Sequence, residues 1–233
     1  MNTIEPMAPV VRLDNVSKVF NSNEGGTIAV QAVTLEARRG ELLLLLGPSG
    51  SGKTTLLALA AGLLKPTSGR VLLFGKKIES YSAAKLQDLR ANRVGFIFQT
   101  FLLIESLTVS ENVEVVLRFT RKSKHEARRR AGSLLKLFHI EHLAQKFPLS
   151  LSQGEKQRVA IARAIANGAG LILADEPTGS LESKQGFDII RLLHDYAKFE
   201  QGCVIVASHD LRLVDCADRV VRMEDGKLSA VCG

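Results

Sequence analysis

The 233-residue sequence has few cysteines and no long apolar run. Its three cysteines, Cys203, Cys216 and Cys232, are an odd number without Cys-x-x-Cys spacing, which argues against a disulfide framework or a zinc module and favours a reducing compartment. A membrane-spanning helix needs about 20 apolar residues, and no stretch approaches that length. The opening residues, MNTIEPMAPV, lack a basic segment followed by an apolar core, so we expect no signal peptide.

The composition is that of an ordinary globular protein, with 45% hydrophobic and 24% charged residues. At about 100–200 residues per domain, the length fits one large domain or two modest ones. A chain of this size buries about 70–75% of its unfolded surface, so its core needs no disulfide or metal for stability.

The positive charge is concentrated in one segment. The formal net charge is +7, and residues 118–130 hold seven basic residues but only one acid, Glu126. A solvated helix face is the simplest interpretation, and proximity to an anionic membrane remains open. We expect no nucleic-acid partner, because no aromatic residues alternate with these charges as base stacking requires. The basic residues are Arg118, Arg121, Lys122, Lys124, Arg128, Arg129 and Arg130.

The apolar pattern predicts two kinds of β-structure. Residues 11–37 are predicted to be β-rich with a loop at 21–26, and residues 70–78 to form a strand that ends at Gly75. Three short and almost wholly apolar runs are instead typical of parallel strands buried on both faces. These runs are residues 41–46, 171–174 and 204–207.

Helices and a terminal hairpin are predicted from their end signals. Thr108-x-x-Glu111 and Ser123-x-x-Glu126 match the capping box that begins a helix. After Ser123, one helical face is apolar, and Asp225-Gly226 separates two apolar segments as in a β-hairpin. The predicted apolar face comprises Ala127, Ala131, Leu134, Leu135 and Phe138.

A glycine-rich segment follows the first apolar strand. Gly47-Pro48-Ser49-Gly50-Ser51-Gly52-Lys53-Thr54 matches the phosphate-loop pattern, and a helix is predicted directly after it. Small residues let backbone N–H groups form an anion site, to which the helix adds its positive end. Lys53 is predicted to reach the β- and γ-phosphates, Thr54 to offer its hydroxyl to Mg²⁺, and Thr55 to bond the α-phosphate. The alternative, a turn that binds nothing, fits this strand and helix context poorly.

The second apolar strand ends in two acids, Asp175 and Glu176. Because buried unpaired charge is costly, such a pair is expected at the end of a sheet, facing a cation. Asp175 is predicted to hold Mg²⁺ and Glu176 to polarise the water that attacks the γ-phosphate. Capping of a turn is the alternative role.

The segment Leu151-Ser152-Gln153-Gly154-Glu155 resembles the LSGGQ signature of ATP-binding-cassette (ABC) ATPases. Ser152-x-x-Glu155 is also a capping box, so its role in beginning a helix is an alternative that is compatible with the first. The other motifs of this family are present in order along essentially the whole chain. They are Phe20 as the adenine-stacking aromatic, Gln99 as the Q-loop glutamine, Ser180-Leu181-Glu182 as the D-loop and His209 as the switch histidine.

The resemblance implies an α/β fold: a P-loop NTPase core with a parallel sheet, an N-terminal antiparallel β layer and an inserted helical subdomain. A single domain is expected, with residues 1–98 and 168–233 as the core and 99–167 as the insertion. The implied activity is Mg²⁺-dependent ATP hydrolysis. The implied catalytic residues are Glu176, His209, Gln99 and Lys53, with Thr54, Gln99 and Asp175 at the metal. Nucleotide contacts are implied for Phe20, residues 47–55 and Ser152, Gln153, Gly154 and Glu155.

The same resemblance implies a homodimer with two ATP molecules between phosphate loop and signature, located peripherally at the cytoplasmic face of the plasma membrane. The segments RVGFIFQTFLLIESLTVSENV and VAIARAIANGAGLILADEPTGSLES are similar to those of lipoprotein-release and macrolide-export ATPases, which implies an integral membrane permease as partner. A cassette of a cell-division or mechanotransmission complex is the alternative. A DNA-repair cassette is disfavoured, because the chain between Lys53 and Ser152 is short and free of cysteine.

Three departures from the family pattern affect these expectations. Phe20 replaces the usual tyrosine and lacks its hydroxyl, Glu182 stands at the usual D-loop aspartate, and Gln153 and Glu155 alter the signature. Because Asp175 and Glu176 are both present, we expect an active ATPase. The apolar residues 101–104 after Gln99 are interpreted either as core or as part of a groove for a helix of the membrane partner.

Overall fold

The computed structural model describes residues 8–22, 25–120, 122–179, 181 and 183–230. The D-loop residues Ser180 and Glu182, together with Cys232 and Arg121, lie outside the described residues.

The strands are β1 Val11–Ser22, β2 Gly25–Ala37, β3 Glu41–Leu46, β4 Ser68–Leu73, β5 Lys76–Lys77, β6 Val94–Ile97, β7 Leu171–Asp175, β8 Cys203–Ser208, β9 Arg219–Glu224 and β10 Lys227–Ala230. The α-helices are α1 Lys53–Ala60, α2 Ala83–Arg93, α3 Val109–Leu117, α4 Lys124–Leu137, α5 Gln153–Ile165 and α6 Ser183–Phe199, and short 3₁₀ turns cover Ile78–Ser80, Glu141–Leu143, Pro148–Ser150 and Leu211–Cys216.

The strands form two sheets. The central sheet has the order β10-β9-β3-β8-β7-β6, in which only the β9–β10 hairpin is antiparallel. The second sheet, with the order β2-β1-β4-β5, is antiparallel throughout. A parallel core with an N-terminal antiparallel layer was predicted, and the structure confirms it.

The central sheet is buried on both faces because its strands are continuously apolar. In β3, Leu42, Leu44 and Leu46 face a core formed with α3, α4, α5 and α6. Leu43 and Leu45 face the opposite way, into a second core shared with α1 and the antiparallel sheet. One leucine run therefore joins both halves of the molecule.

The predicted strand at residues 70–78 was wrong in its bounds. Strand β4 begins at Ser68 and ends at Leu73. Phe74 and Gly75 then adopt φ values of 51° and 78°, in the left-handed region that extended chain cannot use. The chain turns there, and β5 pairs back onto β4.

The predicted helix starts are confirmed as reciprocal capping boxes at Thr108, Ser123 and Ser152. In each box the hydroxyl accepts from the N–H three residues on, and the glutamate accepts from the cap's own N–H, which satisfies two otherwise free donors. None of the helices within the described ranges is long and apolar enough to cross a membrane.

Candidate nucleotide site

The phosphate loop connects β3 to α1 through glycines that no larger residue could replace. A Cβ on Gly47 would lie 2.1 Å from the carbonyl oxygen of Met223. Gly52 has φ 102°, and a Cβ there would lie 2.2 Å from the carbonyl oxygen of Ala29. The loop therefore passes directly against the backbone of two other strands, which fixes its path.

The start of α1 leaves polar groups available for an anion. Gly52 is the N-cap residue, and no side chain caps the helix, so the first N–H groups of α1 have no side-chain acceptor. The buried hydroxyl of Ser51 has no hydrogen-bond partner among the described residues. Free donors at a helix N-terminus, beside a glycine-rich loop, are the arrangement that binds phosphate.

Lys53 lies inside the loop rather than in solvent, with 5% of its surface exposed. Its Nζ donates to the carbonyl oxygens of Gly47 at 2.7 Å and Pro48 at 2.9 Å. It also lies 3.8 Å from Oε1 of Glu176. The ammonium group is thus held between the loop and the carboxylate, where a charged phosphate can bind it.

The side-chain oxygens of Thr54 and Asp175 lie next to each other. Thr54 Oγ1 donates to Asp175 Oδ2 at 2.8 Å. Burial raises the pKa of Asp175, with the nearby Glu176 carboxylate adding to the rise and the Thr54 hydrogen bond opposing it. A buried carboxylate beside a hydroxyl has the hard oxygen chemistry that suits Mg²⁺. No group of three or more His, Cys, Asp or Glu suited to a metal ion occurs in the described part of the chain.

Glu176 is held by residues at the end of the neighbouring strand. Its backbone has φ 46°, so it turns out of β7 directly after Asp175. Oε1 lies 3.0 Å from Nδ1 of His209, and Oε2 accepts from the hydroxyl of Ser208 at 3.2 Å. The parallel pairing of Asp175 with Ala207 brings these side chains together.

These residues surround a cavity of about 380 Å³. Gln99, which follows β6, lies on its wall together with phosphate-loop residues, both carboxylates and His209. Three residues of β2 that the sequence did not indicate also contribute. The lining comprises Thr27, Ile28, Ala29, Ser49, Gly50, Gly52, Lys53, Thr54, Thr55, Gln99, Asp175, Glu176 and His209.

Three predicted groups of site residues lie outside this cavity. The first is part of the phosphate loop: Gly47, Pro48 and Ser51 do not line the cavity. Phe20 is exposed on β1, paired with Thr27, and the Nζ of Lys18 lies 5.2 Å from the centre of its ring. Phe20 is therefore at the rim rather than in the lining. The signature residues Ser152, Gln153, Gly154 and Glu155 are at the start of α5, and none of them lines the cavity.

A family model described as "ABC transporter" matches residues 30–179, which is more than half of the chain. The chain belongs to the ABC transporter family. It is therefore an ATP-binding cassette with ATPase activity, in agreement with the site's geometry.

The proteins similar to this cassette are of two kinds: one is much longer than the cassette and the other has about the same length. The macrolide export ATP-binding/permease protein MacB of Brucella melitensis is 39% identical over 95% of the cassette, but the match covers only 34% of that relative. The cassette thus spans about a third of the length of its MacB relatives. An uncharacterised ABC transporter ATP-binding protein of Methanocaldococcus jannaschii is 40% identical, over 94% of the cassette and 95% of that protein.

A solved structure of that archaeal cassette, MJ0796, is similar throughout. It is a dimer in a post-hydrolysis state bound to ADP and Pi, with a TM-score of 0.88 and 38% identity, covering 96% of this cassette and 99% of that chain. A second dimeric structure of MJ0796 matches equally well. The predicted P-loop NTPase fold is confirmed by this similarity.

Arg163, near the end of α5, is a structural link that the sequence analysis missed. Its Nη1 and Nη2 donate at 2.6 Å to the carbonyl oxygens of Leu102 and Phe101. Both residues have positive φ, 46° and 60°, which is unfavourable for large side chains. The guanidinium group thus holds the segment after Gln99 in a strained conformation and connects it to the helix that begins at the signature.

Replacing Lys53 by alanine is expected to weaken ATP binding by about tenfold to a hundredfold. The variant loses a charge-assisted hydrogen bond to phosphate, which is worth about 1.5–3 kcal/mol. Calorimetric titration with ATP measures this directly. Lys77→Ala, which removes an exposed lysine of β5, is the control and should bind as the wild type does. An unchanged affinity of Lys53→Ala would contradict the placement of phosphate beside this ammonium group.

Proposed function

We propose that this cassette is the ATP-hydrolysing subunit that drives an integral membrane partner of the export or lipoprotein-extraction type, through ATP-dependent dimerisation. It would act as a peripheral protein at the cytoplasmic face of the membrane. The observation that carries the proposal is the convergence of Lys53, Asp175, Glu176 and His209 on one cavity. The names of the MacB relatives, which combine an ATP-binding part with a permease, support a membrane partner.

In the proposed reaction, Glu176 orients and polarises the attacking water. His209 holds one carboxylate oxygen and Ser208 the other, so the carboxylate has a fixed direction. Lys53 would exchange its carbonyl partners for the β- and γ-phosphates when ATP binds. Thr54 and Asp175 are the residues that would hold Mg²⁺, which when bound offsets phosphate charge. Gln99 lines the same cavity, where it would sense the γ-phosphate.

A dimer explains why the signature lies outside the cavity. The Ser152 hydroxyl donates to Oε2 of Glu155 at 2.9 Å and accepts from its N–H at 3.3 Å, so it already orders the start of α5. The helix end and the adjacent Gly154 remain open to an anion from elsewhere. We infer that two chains pair head to tail, each completing the other's nucleotide site. Such pairing is closed and two-fold symmetric.

The membrane partner is proposed to bind an apolar groove of about 440 Å³ beside α3. Leu102 and Phe119 line it, with 54% and 68% of their surfaces exposed. Arg163 lines it as well, so the groove contacts the same guanidinium group that holds the segment after Gln99. An apolar helix seated there would be linked to Gln99 on one side and, through α5, to the signature on the other.

Phe119→Glu is expected to release the membrane partner while leaving the ATPase activity of the isolated cassette within about twofold of the wild type. A carboxylate in the groove would have to be desolvated by an apolar helix. The measurement is recovery, in detergent, of the integral membrane protein that co-purifies with the wild-type cassette. Phe199→Glu is the matched control, because Phe199 is 82% exposed at the end of α6 and lines none of the described cavities. Equal recovery of the membrane protein with both variants would refute the groove as its binding site.

A further inference from the structure

A small cavity of about 230 Å³ lies at the start of α4, away from the nucleotide site. Three cations line it: Lys122, Arg129 and Arg130. The remaining lining residues are Glu126 and Ser133. The walls therefore carry three positive charges and one negative charge.

Glu126, the single acid of the cavity, already accepts hydrogen bonds from Ser123, the N-cap residue of α4. Glu126 Oε2 accepts from the N–H of Ser123 at 2.8 Å and from its hydroxyl at 2.7 Å. No carboxylate of the described chain forms an ion pair within 4 Å of Lys122, Arg129 or Arg130. Arg130 donates only a long bond, 3.4 Å, to the carbonyl of Ala166. Ser133 donates its hydroxyl to the carbonyl oxygen of Arg129, and the Glu126 carboxylate interacts electrostatically with Arg129 and Lys122. No hydrogen bond from the Lys122 ammonium or the Arg129 guanidinium is formed within the described residues, so these two groups have donors available for an anion.

The positive surface continues beyond the cavity. Arg118, Lys124 and Arg128 are exposed, and none of them forms an ion pair with a described residue. Protein surfaces normally intersperse both signs, because clustered like charges repel one another. A cluster of this kind attracts anions, and planar guanidinium groups are especially suited to phosphate oxygens.

We propose that this cavity binds the phosphate of an anionic phospholipid headgroup, with Lys122, Arg129 and Arg130 as its ligands. The argument for lipid is continuity with the groove beside α3: Phe119 lines that groove and precedes Lys122 by three residues. The orientation toward a membrane rests on the proposed function, whereas the charge of the cavity does not. An apolar side chain beside a basic cluster is a common feature of membrane-surface contacts.

Nucleic acid is the competing polyanion, and the local residues disfavour it. Single-stranded nucleic acid is bound by aromatic rings that stack on the bases. Between residues 118 and 138 the only Phe, Tyr or Trp side chains are Phe119 and Phe138. Phe138 is buried, and Phe119 lines the groove beside α3 rather than this cavity. The cavity offers charge and hydrogen bonds without a stacking surface, as a phosphate monoanion requires.

The test is sedimentation of the full chain with vesicles of phosphatidylglycerol in phosphatidylcholine, at about 0.15 M salt. Each basic residue near an anionic surface contributes about fivefold to partitioning. The double variant Lys122→Gln/Arg129→Gln should therefore partition about 30-fold more weakly than the wild type. The control is Lys76→Gln/Lys77→Gln, which removes two exposed lysines of the antiparallel sheet and lowers the net charge equally. It should stay within about threefold.

The supporting result is vesicle binding that requires phosphatidylglycerol and that is weakened about 30-fold only in Lys122→Gln/Arg129→Gln. An equal loss in both double variants would show general attraction by net charge and overturn the site. Binding of an oligonucleotide or of inorganic phosphate, without vesicle binding, would overturn the lipid as its ligand. Unchanged ATP hydrolysis by the double variants shows that they are folded. Because no membrane protein is present, a failure here leaves the proposed membrane partner untouched.

Discussion

Glu176→Gln is expected to slow ATP hydrolysis by about 10²–10⁴-fold while ATP binding remains intact. Glutamine keeps the shape of the side chain, but it cannot polarise water as a carboxylate does. Lys53 and the phosphate loop, which supply the phosphate contacts, are unchanged by the substitution. Phosphate release under saturating ATP measures the rate, and calorimetry measures the affinity.

The same variant should accumulate as an ATP-bound dimer, visible as a shift in gel filtration when ATP is present. In the proposed head-to-tail dimer the γ-phosphate joins the two chains, so dimers are expected to persist when it is not removed. Glu79→Gln, at an exposed position beyond β5, is the matched control and should hydrolyse ATP normally. Wild-type turnover by Glu176→Gln would contradict the role of Glu176 in polarising the attacking water.

Ser152→Arg chains are expected to lose both ATP-dependent dimerisation with one another and hydrolysis, yet to keep ATP binding by the single chain. The arginine would fill the space in which the partner's γ-phosphate has to sit. Loss of the helix cap alone costs about 1 kcal/mol, which is too little to unfold a domain of this size. Ser152→Thr keeps a capping hydroxyl and should retain activity, and Ser80→Arg adds the same charge at an exposed site.

Mixing two inactive chains separates the head-to-tail arrangement from a site built within one chain. A dimer of Ser152→Arg with Glu176→Gln has one site with both lesions and one site with neither. Where a single intact site suffices for hydrolysis, the mixture is expected to show partial activity above that of either parent. If Ser152 served its own chain's nucleotide, every site in the mixture would carry a lesion and the mixture would stay inactive.

Much of the fold was predictable because its strands and helix ends carry local signals. The continuously apolar runs at β3, β7 and β8 require burial on both faces, and a parallel sheet provides it. At the terminal hairpin, Asp225 and Gly226 have φ values of 45° and 76°, the conformation that the Asp-Gly pair favours in tight turns. The four-residue strand β6 was not predicted, because its half-buried pattern is too short to recognise.

The contacts within the site depend on the register between paired strands, and the sequence carries no local signal for that register. Glu176 and His209 are 33 residues apart, and only the pairing of β7 with β8 brings their side chains together. Ser208 follows from the same register, because it ends the strand beside β7. The Arg163 link could not be predicted, since it depends on the strained backbone at Phe101 and Leu102.

Disulfide cross-linking tests most directly whether two cassettes complete each other's nucleotide sites. Ser49 in the phosphate loop and Gln153 in the signature are both exposed, and each can be replaced by cysteine in a separate Glu176→Gln chain. A chain without introduced cysteines is the control for disulfides formed by the three native cysteines, of which Cys203 is buried, Cys216 is half-buried and Cys232 lies outside the described residues. We predict that mixing the two chains with ATP gives a covalent dimer, which neither chain forms alone. A mixture that stays monomeric, while a chain carrying both cysteines closes the disulfide within itself, would contradict the head-to-tail dimer.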